Sequence, residues 1–117
     1  MTRKHLNFPP PPVPRTVREL LKDYPELIEE LQDGLTKSHY GPLGALNFDS
    51  AIWLLKDMLG GDLVDAHEQS DQAKARGDQE TVRRADEKAM AIAMARLDAS
   101  GDGDLSSYFK TYEKDFQ

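Results

Sequence analysis

The stretch 78-DQETVRRADEKAMAIAMARLDASGDGDLSSYF-109 decides the fold. Val82, Ala85, Ala89, Met90, Ala93, Met94 and Leu97 recur at spacings of one, three and four. That rhythm places them on one broad face of a helix. Within it Ala85, Ala89 and Ala93 form a ridge of small residues four apart, which lets a neighbouring helix approach closely. Such a helix suits the centre of a small bundle. Asp78 is a candidate N-cap, and the pattern stops at Asp98-Ala-Ser-Gly-Asp-Gly-Asp.

Working back from Asp78, residues 62–76 can be helical, and Gly60-Gly61 should end or kink the helix before them. That helix, Ala51 to Leu59, takes its cap from Asp49 or Ser50. Its apolar residues are Ile52, Trp53, Leu55, Met58 and Leu59, with Trp53 expected as a core anchor. The loop over 36–47 turns at Gly41-Pro42 and Gly44. Before it, Pro25 opens a helix with Leu27, Ile28, Leu31 and Leu35 inward and Glu26, Glu29, Glu30 and Asp33 outward, weakened near its end by Gly34. Thr16-Val-Arg-Glu19 has the spacing of a capping box for a short helix to about Tyr24.

Residues 8-FPPPPVPR-15 cannot be helix or central strand, because proline fixes φ and donates no N–H. They predict a polyproline II strap laid over the bundle with Leu6 and Phe8 as anchors. Arg15 stands one residue too close to Pro14 to complete a Pro-x-x-Pro-x-Arg ligand motif. At the other end Ser106 or Ser107 should cap a last helix whose Tyr108, Phe109, Tyr112 and Phe116 dock it on the core. The expectation is all-α: one small bundle of five or six helices over 16–117, preceded by the extended proline-rich segment 1–15.

Charge and composition narrow the function. The chain has 117 residues, no cysteine and a net charge of -6. Residues 1–22 carry +4, residues 23–71 carry -9 and the remainder -1. The acidic middle would repel phosphates, which argues against nucleic acid and permits steering toward a basic partner. No apolar run approaches the roughly 20 residues of a membrane span, and no secretory h-region opens the chain. A soluble, cytoplasmic protein is the expectation, and the lack of cysteine fits a reducing compartment.

One motif carries possible chemistry. Asp98, Ser100, Asp102, Gly103, Asp104, Leu105 and Ser106 resemble positions 1, 3, 5, 6, 7, 8 and 9 of an EF-hand calcium loop. The resemblance covers residues 98–109 and implies side-chain oxygens from Asp98, Ser100 and Asp102, the Asp104 carbonyl, and Ser106 acting through water. Position 12, a bidentate Glu in the family, is Phe109, and no second loop pairs with this one. The alternatives are a weak calcium site and a Gly-rich turn between helices.

His5, His39 and His67 share no metal spacing, and neither a nucleophile elbow nor a phosphate-cradling loop occurs. The expectation is a non-enzymatic interaction or inhibitor protein without a required cofactor. It presents an acidic helical surface to a basic protein, and by analogy of size and charge it resembles immunity proteins that neutralise toxins. The expected contact residues are Asp57, Asp62, Asp65, Glu68 and Asp71, then Glu26, Glu29, Glu30 and Asp33, with Tyr40 as an aromatic anchor. The alternative function is a calcium-binding module at 98–109.

Overall fold

A computed structural model describes residues 9–41, 46–100 and 103–112. Five α-helices follow in order: α1 (Arg15–Leu20), α2 (Pro25–His39), α3 (Phe48–Arg76), α4 (Gln79–Leu97) and α5 (Asp104–Thr111). No strand occurs among the described residues. The chain is the expected all-α bundle, drawn out to 60 × 30 × 19 Å.

Its frame is the antiparallel hairpin of α3 and α4. Gly77, at φ 72°, closes α3 in the left-handed conformation that glycine adopts without strain. Asp78 then caps α4, its carboxylate accepting from Thr81 N–H at 3.1 Å and Thr81 Oγ1 at 2.7 Å. The shorter helices cover one side of this hairpin. Leu31 and Leu35 of α2, Leu55 and Leu59 of α3, Ile92 of α4 and Leu105 of α5 are fully buried in one apolar cluster. Gly34 permits the closest approach of α2 to α3, since a Cβ there would lie 2.7 Å from Met58 Sδ.

The proline segment is a strap, as expected. Gln32 of α2 grips its backbone, donating from Nε2 to the Pro11 carbonyl and accepting from Val13 N–H, both at 3.0 Å. Tyr108 of α5 donates its hydroxyl proton to the Pro9 carbonyl. Pro11, Val13 and Pro14 are buried, which withdraws those prolines from any groove that reads Pro-x-x-Pro. The anchors expected at Leu6 and Phe8 lie outside the described residues.

Several local expectations are corrected. The helix does not break at Gly60-Gly61; α3 runs through both for 29 residues. Its cap is Asn47, in a reciprocal box with Ser50, rather than Asp49. Thr16 caps nothing: α1 starts one residue earlier, after Pro14 has set φ to -56°. The orphan Arg15 N–H is satisfied by the Asp104 carboxylate of α5, while the buried Thr16 Oγ1 finds no partner among the described residues. Likewise α5 begins at Asp104 behind Gly103 at φ 94°, so Ser106 and Ser107 lie inside it. Tyr108 is buried and Phe109 packs on the core; Phe116 lies outside the described residues.

Two apolar expectations also fail. Trp53 is 64% exposed rather than a core anchor. The buried register of α3 is Ala51, Leu55 and Leu59, and Trp53, two residues from Leu55, faces about 200° away. On α4 the buried line is Ala85, Ala89, Ile92 and Ala95, which leaves Met90, Met94 and Leu97 exposed.

Candidate partner-binding face

Helix α2 owes its orientation to the four-residue recurrence of Leu27, Leu31 and Leu35, all buried. The complementary face carries Glu26, Glu29, Glu30 and Asp33, all exposed. With Gln32 and Thr36 they line an open depression along the helix. Lys37 pairs with Asp33 at 2.9 Å, an exposed i,i+4 bridge of small energetic weight.

The neighbouring helix adds to this charge. Gly34 beside Met58 and Glu30 near Asp62 set α2 antiparallel to α3. Burial raises the pKa of Asp62, and the charges of Glu30 and Asp65 push it further up; Lys88 opposes them. Lys88 reaches in from α4, with Nζ 3.7 Å from Glu26 and 5.6 Å from the centroid of the Tyr24 ring. Desolvation, then Glu87, Asp23 and Glu26, raise the pKa of the Tyr24 phenol. The result is a negative surface shared by three helices, in which Lys37 and Lys88 meet a larger number of carboxylates.

Not every expected residue joins it. From Asp62, a turn of about 100° per residue leaves Asp65 about 60° away. The same turn carries Asp57 and Glu68 more than about 100° round α3 and Asp71 to its opposite side. The contact set therefore divides: Asp62 and Asp65 join Glu26, Glu29, Glu30 and Asp33, while Asp57, Glu68 and Asp71 do not. Tyr40 is exposed and meets His39 edge-on, with centroids 4.6 Å apart. It stands at the far end of α2, near Tyr108 rather than near Asp62. Asp23, Tyr24 and Glu87 belong to the face and were missed; the Lys88-Glu87 pair and the Asp-Tyr before Pro25 were the available signal.

The expected calcium-loop residues lie partly within the described residues. Asp98 is the C-cap of α4 and lines a shallow depression with Thr16, Glu19, Leu20 and Lys22 of the α1 region. The Asp104 carboxylate is engaged by Arg15 N–H, and Ser100 and Ser106 are exposed. Asp102 lies outside the described residues. No group of three or more His, Cys, Asp or Glu among the described residues has a metal-holding arrangement. No described helix is long and apolar enough to cross a membrane. Comparison with protein-family models, curated proteins and solved structures finds no match to this chain.

Proposed function

We propose that this is a non-enzymatic interaction protein that presents the acidic α2–α3 face to a basic protein partner. Inhibition of a toxin, in the manner of an immunity protein, is the specific form that its size and charge suggest. The observation that carries the reading is the gathering of exposed Glu26, Glu29, Glu30 and Asp33 on α2 beside Asp62 of α3, whose pKa is raised by burial and then by Glu30 and Asp65. Burial, with the charges of Glu30 and Asp65 beside it, makes the ionised Asp62 carboxylate costly in the free chain. Cations brought by a partner would offset that cost.

A partner recognised in this way associates quickly and in a salt-sensitive manner, because surface charge acts chiefly on the rate of encounter. Lys residues introduced together at Glu26, Glu29, Glu30 and Asp33 test the proposal. All four side chains are exposed, so the reversal leaves the core untouched. A basic protein captured from lysate by the parent chain at low salt should bind the reversed chain at least about tenfold more weakly. Equal retention by both chains would sink the reading.

A further inference from the structure

The other side of the hairpin has a different character. Trp53, Gly60 and Val64 are spaced by seven and four along α3, and Met90, Met94 and Leu97 by four and three along α4, so each set forms one ridge. Both ridges lie away from α2. Met58, which meets Gly34 of α2, is turned about 200° from Gly60. Gly60 is instead approached by Arg96 of α4, whose Nε donates to the Lys56 carbonyl across the back of the hairpin. Trp53 is 64% exposed, Met90 64% and Leu97 83%, whereas most other large apolar residues among the described ones are enclosed.

We propose that this back face, carrying Trp53, Val64, Met90, Met94 and Leu97, is where two copies of the chain associate. The flanking charges are of both signs, which suits a second copy arranged head to tail on the first. Lys56 and Asp57 follow Trp53 by three and four residues, Asp71 and Lys74 follow Val64 by seven and ten, and Asp86 and Arg83 precede Met90 by four and seven. Asp49 and Glu68 also stand four residues from Trp53 and Val64, and Arg83 already pairs with Glu80 and Glu87, so both signs flank the ridges with carboxylates in excess. A chain of net charge -6 repels its own copy most strongly across the acidic α2 face, whereas on this face Lys56 and Lys74 can pair with carboxylates of a second copy.

Area points the same way. The five side chains expose on the order of 600 Å² per copy, and the stems of Lys56, Lys74 and Arg83 extend this toward the about 800 Å² per partner of a stable interface. Packing also favours a second hairpin. Toward the tip of the hairpin the buried side chains of α3 and α4 are small: Ala66, Ser70, Ala73, Ala85 and Ala89. Two such hairpins, back to back, would form a four-helix layer with large residues at its centre. The proposal is independent of the acidic-face reading, because the two use opposite sides of α3.

The test is sedimentation velocity on the full chain from about 1 µM to about 500 µM, with Trp53 emission followed in parallel. Trp53 is the sole tryptophan, so its emission reports this face alone. Mass should rise to twice the monomer value while emission shifts to the blue with the same midpoint. Leu97→Glu and Met90→Glu, each at an exposed position, should keep the far-ultraviolet helical signal and move the midpoint at least about tenfold upward. A chain that stays monomeric throughout overturns the proposal, as does a dimer whose Trp53 emission and midpoint ignore both substitutions. A blue shift seen only with added phosphatidylcholine vesicles, the chain remaining monomeric, overturns it in favour of a lipid occupant.

Discussion

Asp62 is held where its negative charge costs stability. Its pKa in the folded chain is raised by burial first, then by Glu30 and Asp65. Between the ordinary carboxylate value and the raised one, the folded chain binds more protons than the unfolded chain. Stability therefore falls as pH rises through that window, and at neutral pH the ionised group is a net penalty. Asp62→Asn should stabilise the chain at pH 7 by a few tenths of a kcal/mol, since half-exposed charges are well screened. In urea unfolding near pH 3, where the carboxyl is largely protonated in both states, the gain should vanish. A substitution that destabilises at pH 7 would contradict the electrostatic account of this face. Trp53 shows what one residue alone conceals. Its size suggests burial, but Ala51, Leu55 and Leu59 had already taken the inward side of α3. The spacing of four in that series was the better guide.

At the level of the element, the features set by near neighbours were legible. Pro25 opens α2, Asp78 caps α4, and Gly77 ends α3, because each depends on residues within a few positions. The start of α1 was not legible, since its first N–H is satisfied by Asp104, 89 residues along the chain. Gly60-Gly61 is the instructive failure. Each glycine disfavours an interior helix by about 1 kcal/mol, which is less than the burial of Leu55, Leu59 and Ala66 on either side supplies. The helix continues because both its halves are docked. A Cβ at Gly61 meets no atom within 4 Å. Gly61→Ala should therefore raise unfolding free energy by about 0.5–1 kcal/mol, with the denaturant slope unchanged. If calorimetry and urea titration show no gain, α3 is not continuous there.

Across the whole molecule, stability is distributed unequally. The near half of the hairpin meets α1, α2 and α5 through leucine and isoleucine, whereas the distal half closes on alanine and on Ser70, whose hydroxyl donates to Asp86 at 2.7 Å. Small side chains bury little area, so the tip should open locally at lower free energy than the base. In dilute solution, amide exchange should be faster over 70–85 than at Leu31, Leu55 or Ile92. Uniform protection would contradict this gradient. The bundle class followed from periodicity, and the acidic excess of 23–71 followed from counting. What counting could not supply was direction around α3, because docking against α2 decides which carboxylates gather. Asp62 was separated from Asp71 by rotation alone.

The hydroxyl of Tyr108 on the carbonyl of Pro9 joins positions 99 apart in the chain. The path of the described residues, from 9 to 112, is thus nearly a closed ring, with Gly77 on its far side. A short tether from the last turn of α5 to the strap, with the ring cut at Gly77, would give a circular permutant in which every helix keeps its neighbours. The order in which the helices are written is then incidental to how they are assembled.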